Sequence, residues 1–316
     1  MSLDTVITEL SRLCPGGVCR DVSLSQISRW RIGGKADVII EPGSVEQLIA
    51  LQTFIANEDL PSLVIGDTSN LLFSDEGLRA ICIRIGARMA GIQIMGQEVT
   101  VQAGIWVPHF ARRIQQVGLT GAEHICGIPG TLGGLICMNG GSQRKGIGSS
   151  VVEVTAIDSK GRMIILEQQA CNFAYRQSVF QSNGAIVAAA RLRFEHVSDN
   201  TAIRREMLSI LRDRSRKFPR KLPNCGSVFK SNPAMYSDIG PPGAVIERLG
   251  FKGYQIGGAQ VSRHHANFFV NLGGAKAVDM LRLIGEVGDT VFEKTGFRIE
   301  SEVRFVTPDG SIHSAY

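Results

Sequence analysis

A hydroxyl, a cation and an amide lie close together in Asn224-Cys225-Gly226-Ser227-Val228-Phe229-Lys230-Ser231-Asn232-Pro233. Ser227 can give or accept a proton, Lys230 carries a fixed charge and Asn232 offers both a donor and an acceptor. Gly226 allows close approach of backbone to a ligand, and Pro233 blocks continuation as a helix or central strand. The stretch therefore reads as a loop that presents groups. Taken alone, Gly-Ser-x-x-Lys fits a surface turn with a solvated lysine better, so the rest of the chain has to decide.

Three other places offer chemistry. Arg176, in Tyr175-Arg176-Gln177-Ser178, precedes a long apolar strand and is either a surface arginine or a holder of an anion. Glu302 lies in a segment where Ile299, Ser301, Val303 and Phe305 alternate with Arg298, Glu300, Glu302 and Arg304, a charged face that is either solvated or one wall of a polar cleft. The adjacent His264 and His265 are expected on a strand, facing opposite ways. They share no metal easily and are read as structural or substrate-lining. Cys225 has no evident base in the sequence and is not expected to be a nucleophile.

These groups need elements to position them. Trp30 to Ala36 leads into an apolar strand at Val38-Ile39-Ile40. Ser44 and Gln47 form a capping box for a helix with Leu48, Leu51, Phe54 and Ile55 on one face, stopping before Pro61. Leu63-Val64-Ile65 is a second strand running into Gly66-Asp67-Thr68-Ser69-Asn70, where backbone N–H groups can meet a phosphate. The unit lacks both GxGxxG and a P-loop, so an ordinary nucleotide fold is disfavoured. Short strands follow at 80–85, 91–94 and 99–102, then a helix with Val107, Phe110, Ala111, Ile114 and Val117 inward, capped at Gly118.

Residues 121–141 hold seven glycines and one proline, interspersed with Ile, Leu and Met. A flexible linker would lack those apolar residues. The stretch reads as a buried backbone cradle on which a flat or phosphorylated cofactor can lie. Strands resume at 151–157, 163–166 and 185–194. Beyond His196, Ser198 to Asn200 cap an amphipathic helix (Ile203, Met207, Ile210, Leu211) that leads into a second domain. A long helix with Ala277, Met280, Leu281, Ile284, Val287 and Val291 inward ends at Gly296.

Composition excludes several classes. The chain has 316 residues, 44% hydrophobic and 20% charged, in keeping with two globular domains. No apolar run is long enough to span a membrane and no secretory leader is seen, so a cytosolic protein is expected. Seven scattered cysteines without a CxxC pair point to reduced thiols and no structural metal. A net charge of +5 with 6% aromatic residues is too weak a signal for nucleic-acid binding but compatible with anionic small molecules.

The ordered set Arg31-Ile32-Gly33-Gly34, Ser69-Asn70-Leu71-Leu72, Gly127-Ile128-Pro129-Gly130-Thr131 with Gly133-Gly134 and Met138-Asn139, Tyr175-Arg176-x-Ser178, Gly226-Ser227-Val228-Phe229-Lys230-x-Asn232-Pro233, Val261-Ser262 with His265-Ala266-Asn267, and Glu302-Val303-Arg304 resembles the UDP-N-acetylenolpyruvylglucosamine reductase (UDP-N-acetylmuramate dehydrogenase) family along nearly the whole chain. The resemblance implies an α+β protein: an N-terminal lead-in at 1–29, an FAD-binding domain of the vanillyl-alcohol-oxidase-like type at 30–196, made of two α/β subdomains, and a substrate-binding domain at 197–316. The short interval between Arg176 and Ser227 implies the shorter class of the family, without the extra substrate-covering tyrosine loop.

By the same resemblance, FAD is reduced by NADPH and then passes hydride to UDP-N-acetylglucosamine enolpyruvate, and the protein is expected to be a monomer. Arg176, Ser227 and Glu302 are the implied catalytic residues. Arg31, Gly33, Gly66, Asp67, Thr68, Ser69, Asn70, Leu71, Gly127, Ile128, Pro129, Gly130, Thr131, Gly133, Gly134 and Asn139 are the implied cofactor contacts. Tyr175, Lys230, Asn232, His265 and Asn267 are the implied substrate contacts. The chain departs from the family pattern at Thr68, where glycine is usual; a positive φ there would strain a β-branched residue. Trp30, Cys137 and Gly140 are further departures. Two rival readings are a flavin oxidase on the same scaffold, with His124 and Cys126 as flavin attachment points, and a silent relative that only binds flavin or UDP-sugars.

Overall fold

Ser44 opens the helix Val45–Asn57 with its side chain accepting from Gln47 N at 3.2 Å. Gln47 closes the cap one residue earlier than a capping box would, its Oε1 accepting from Gly43 N at 2.7 Å. Leu48, Leu51 and Ile55 are the buried face, and the helix crosses between two parallel strands, Lys35–Ile40 and Ser62–Ile65. Both pair with Ile81–Arg84, which lies between them. Ile81, Cys82 and Ile83 are all buried, the continuous apolar run expected of a central parallel strand.

The computed structural model describes residues Met1–Tyr316 and separates into two units by contact. The first comprises Met1–Arg20, Val38–Asp67 and Ile81–Arg214. Beside its parallel strands it contains an antiparallel five-stranded sheet in the order Met163–Glu167, Val151–Ile157, Ile186–Arg193, Glu98–Gln102, Ile92–Met95. Alternation along these strands puts Val99, Val101, Val154 and Ala156 in the core, where the helix Val107–Gln116 adds Phe110 and Ile114. The glycine-rich stretch is less bare than expected: it contains a 3-10 turn at Glu123–Ile125 and a helix at Leu132–Cys137 whose Leu132 and Ile136 are fully buried. Paired glycines mask helical periodicity, so the sequence conceals it.

The second unit comprises Asp21–Asp37, Thr68–Ala80 and Ser215–Tyr316. Its core gathers Trp30, Leu72, Phe229, Phe269 and the inner face of the helix Ala277–Thr295, which ends on Gly296 at φ +75°. Long-range bonds explain why the two early segments belong here. Trp30 Nε1 donates to Phe269 O at 2.9 Å, Asn271 Nδ2 donates to Trp30 O at 2.9 Å, and Asp75 Oδ1 accepts from Ala277 N at 2.9 Å. Sequence order alone assigns residues 30–37 and 68–80 to the earlier domain; their contacts group them with the later one. The change of unit between Arg214 and Ser215 falls inside the helix Asn200–Lys217, past the expected boundary at 196.

The final strand also differs from expectation. Ile299, Ser301 and Val303 are buried and Glu300 is exposed, as alternation requires, yet the continuous ladder covers only Arg304–Val306. The segment changes partner midway. Glu302 N donates to Val228 O at 2.7 Å and Lys230 N to Glu300 O at 2.8 Å, whereas from Arg304 onward the partner is the parallel strand Leu71–Phe73. Ile312–Ser314 completes that sheet. No helix is long and apolar enough to cross a membrane.

Candidate active site

In the first unit, the turn after Ser62–Ile65 opens a cleft of about 320 Å³ lined by Gly66, Asp67, Gly104, Trp106, His109 and Thr131. Gly66, Gly86 and Gly104 in this lining carry no side chain. A Cβ at Gly66 would fall against Thr131 Oγ1, and one at Gly133 would lie 3.0 Å from Ala103 Cβ. Such a surface accepts a flat or phosphorylated group and rejects side chains, which is what an FAD cradle requires. Trp106 and His109 escaped the sequence reading because they sit at a helix start with no distinguishing spacing. Trp106 is 51% exposed, unusual for tryptophan, and that exposure is visible only in the structure.

A Cβ at Gly127 would meet the Arg214 side chain, 2.7 Å from Nε. Gly130, at φ +149°, accepts from Val107 N through its carbonyl at 2.9 Å, fixing Ile128-Pro129-Gly130 beside the helix start. Asn139, expected to touch the cofactor, has its amide committed elsewhere. Nδ2 donates to Ala174 O at 2.8 Å and Oδ1 accepts from Gly148 N at 2.9 Å. It braces the loop that carries Tyr175 and Arg176.

Ser178 Oγ and Gln181 Nε2 both donate to Cys137 O, at 2.6 and 2.9 Å, and Gln181 Nε2 also donates to Arg176 O at 3.0 Å. Arg176 itself has φ +54°, a left-handed conformation that costs a non-glycine residue about 1–3 kcal/mol and concentrates at functional sites. Its guanidinium lies 5.5 Å from the Tyr175 ring centroid, and Tyr175 is 58% exposed. His124 is buried, and desolvation holds its imidazole below the ordinary range. Burial pushes the Cys126 thiol up to about 11, leaving it protonated and unsuited to the flavin attachment imagined for an oxidase.

In the second unit, the catalytic-loop candidates are assembled by a clasp. Asn267 Oδ1 accepts from Phe229 N at 3.0 Å and its Nδ2 donates to Phe229 O at 2.9 Å, while Asn267 O accepts from Val228 N at 2.8 Å. Through these bonds Asn267, expected as a substrate contact, supports the Ser227 loop. His265 works with it: Nδ1 accepts from Asn267 N at 3.2 Å, and the ring packs edge-on against Phe218 and Phe268. Both histidines lie in the turn between Ala259–Val261 and Phe269–Asn271, outside the strand expected for them.

Gly226, at φ +81°, has open space where a Cβ would go and precedes Ser227 at a turn held by Asn224 Oδ1. Cys225 Sγ donates to Thr68 O at 3.5 Å. Lys230 Nζ is 3.0 Å from Glu300 Oε2, and Asn232 Oδ1 caps the Pro233–Met235 turn through Ala234 N at 3.0 Å. The pairing of 228–230 with 300–302 puts the Ser227 loop and Glu302 on adjacent backbone segments. Arg31 and Thr68 both have positive φ, +56° and +55°, and Gly33 at +131° leaves no room for a Cβ between Phe73 and Leu24.

Comparison with known proteins matches residues 36–167 to the FAD binding domain family and residues 218–306 to the C-terminal domain of UDP-N-acetylenolpyruvoylglucosamine reductase. UDP-N-acetylenolpyruvoylglucosamine reductase 1 of Corynebacterium glutamicum is 43% identical over 296 residues, 94% of this chain and 88% of that protein. The chain belongs to the UDP-N-acetylenolpyruvoylglucosamine reductase family. The Bacillus subtilis reductase is 34% identical over 305 residues, 96% of this chain and 99% of that one. The crystal structure of the reductase from Thermus caldophilus superposes with a TM-score of 0.76 at 29% identity, covering 90% of this chain and 97% of that one. Gly66 to Asn139 fall within the FAD binding domain span, and Ser227 to Glu302 within the reductase C-terminal domain span. Arg31, Gly33, Tyr175 and Arg176 lie outside both, so their assignment rests on motif and conformation.

Proposed function

We propose that this chain is a UDP-N-acetylmuramate dehydrogenase, which uses NADPH to reduce UDP-N-acetylglucosamine enolpyruvate to UDP-N-acetylmuramate in the synthesis of peptidoglycan precursors. Family membership supports the activity. The observation that carries the site assignment is the backbone pairing that sets the Ser227 loop beside the Glu302 segment, with Glu302 N donating to Val228 O at 2.7 Å.

The glycine-bearing cleft at Gly66, Gly86 and Gly104, with the cation of Arg84 in its lining, fits the phosphorylated part of FAD. The residues that would hold it are Arg31, Gly33, the turn from Gly66 to Leu71, and Gly127 to Gly134. When bound and reduced by NADPH, it supplies hydride to C3 of the enolpyruvyl group. Arg176 then has the task of a fixed cation beside the substrate carboxylate, where negative charge from C2 delocalises. Its left-handed backbone, moored through Gln181, keeps that cation from relaxing away.

Ser227 delivers the proton to C2. A serine hydroxyl is a weak acid, adequate here because the enolate it meets is strongly basic. Glu302 works alongside as the acid or hydrogen-bonding partner. Tyr175, Lys230 and Asn232 line the substrate path; His265 and Asn267 act one step back by holding the loop. The protein works as a cytosolic monomer on small-molecule substrates.

The test is NADPH oxidation by the purified protein, followed by mass analysis of the sugar product. Consumption that depends on the enolpyruvyl sugar, with product heavier by two hydrogens, supports the assignment. NADPH consumption that ignores the sugar contradicts it.

A further inference from the structure

Thr68 holds a conformation its own side chain disfavours, and its hydroxyl is fully employed. Its φ is +55°, where branching at Cβ crowds the backbone, and it is only 4% exposed. Oγ1 donates to Ile27 O at 3.3 Å and accepts from Arg29 N at 3.1 Å. Two residues beyond Arg29, Arg31 also has a positive φ of +56°. Through its carbonyl, Thr68 accepts from the thiol of Cys225, two residues before Ser227.

A glycine would adopt this φ without strain but would leave Ile27 O and Arg29 N without that partner. What the strained residue adds is a pair of hydrogen bonds to the 27–31 segment. We propose that the Thr68 hydroxyl is a positioning latch, fixing the segment that bears Arg31 onto the 68–71 turn and thereby controlling how fast FAD leaves the protein. This rests on the assignment of both segments to FAD binding made above. With the latch closed, the Arg29 and Arg31 backbone is held to the 68–71 turn; with the hydroxyl gone, Trp30 stays anchored by Phe269 and Asn271 while the backbone on either side of it loses that tie.

The experiment compares holoenzyme of the wild type with Thr68→Ser, Thr68→Gly and Thr68→Val, each diluted while the fluorescence of freed FAD is followed, with a thermal melt of each. Thr68→Ser keeps the hydroxyl and should release FAD within about twofold of the wild type, whereas Thr68→Gly and Thr68→Val should release it about tenfold faster, the scale of one to two lost hydrogen bonds. Thr68→Gly separates latch from folding, because it removes backbone strain while removing the hydroxyl. Faster loss of FAD from a glycine variant that melts no lower than the wild type establishes the latch. A glycine variant that keeps FAD as long as the wild type, or a serine variant that loses it as fast as the valine one, overturns it. A wild-type protein that neither carries nor takes up FAD would overturn the underlying assignment as well.

Discussion

Ser178 donates from Oγ to the Cys137 carbonyl at 2.6 Å, tying the Arg176 loop to the last turn of the Leu132–Cys137 helix. Ser178 is 4% exposed, so removing the hydroxyl takes a short hydrogen bond from the Cys137 carbonyl, to which Gln181 also donates. Ser178→Ala should retain FAD and still be reduced by NADPH, but reoxidation by the enolpyruvyl sugar should slow about tenfold as Arg176 loses its fixed position. Stopped-flow traces of the two half-reactions measure this. Equal slowing of both would mean the bond serves the fold alone.

Asn267 joins the His265 turn to Phe229 through both ends of its amide, at 3.0 and 2.9 Å. Asn267→Ala strands two buried backbone groups and should cost about 2–4 kcal/mol, a fall in Tm of roughly 5–15 °C. Reduction of the sugar should fall more than flavin reduction, since the clasp supports the Ser227 loop. Calorimetry and half-reaction rates together check it.

Gly66 has no space for a methyl group because Thr131 Oγ1 already fills it. Gly66→Ala should therefore push the turn off Thr131 and yield protein purified with little bound flavin while still folded. The double variant with Thr131→Ser should not recover it, because Oγ is retained; Gly66→Ala with Thr131→Ala should recover it in part. The ratio of flavin to protein absorbance reads the result.

His124 and His265 are both held below their ordinary pKa, chiefly by burial, with Lys145 and Lys252 adding repulsion respectively. The unfolded chain thus binds protons that the folded chain refuses, and stability rises with pH across that window. Tm should be flat above about pH 7.5 and fall as pH drops below about 6.5, where the free imidazole titrates. His265→Gln should flatten part of that slope. A Tm that climbs on acidification between pH 7 and 5 would contradict it.

Much of this was legible in the chain, for identifiable reasons. The Ser44 cap, the face through Leu48, Leu51 and Ile55, and a strand at 81–84 within the expected 80–85 follow from local periodicity, while Phe54, expected on that face, is only half-buried. Residue types pointed to the Ser227 loop and composition to the glycine-rich stretch, part of which forms the Leu132–Cys137 helix. What sequence order obscures is long-range assembly. Nothing local says that Trp30 donates to Phe269 O, or that residues 68–80 pack with the C-terminal third. Side-chain roles were the other gap. Asn139 and Asn267 carry family motifs and were expected at ligands, and each amide also holds neighbouring main chain through one donated and one accepted bond. An asparagine's sequence position cannot distinguish the two uses, because the same donor and acceptor serve both. The positive φ at Thr68 was foreseeable from the missing glycine; the hydroxyl bonds that accompany it were not.

The most direct measurement is an anaerobic visible spectrum of wild-type and Ser227→Ala protein through two additions, NADPH and then UDP-N-acetylglucosamine enolpyruvate. The wild type should bleach on the first addition and recover its oxidised flavin band on the second. Ser227→Ala should bleach at the same rate and recover at least about a hundredfold more slowly, the scale of losing a general acid. Recovery in the variant as fast as in the wild type would remove Ser227 from the proton transfer, and a wild type that bleaches but never recovers would contradict the reductase assignment itself.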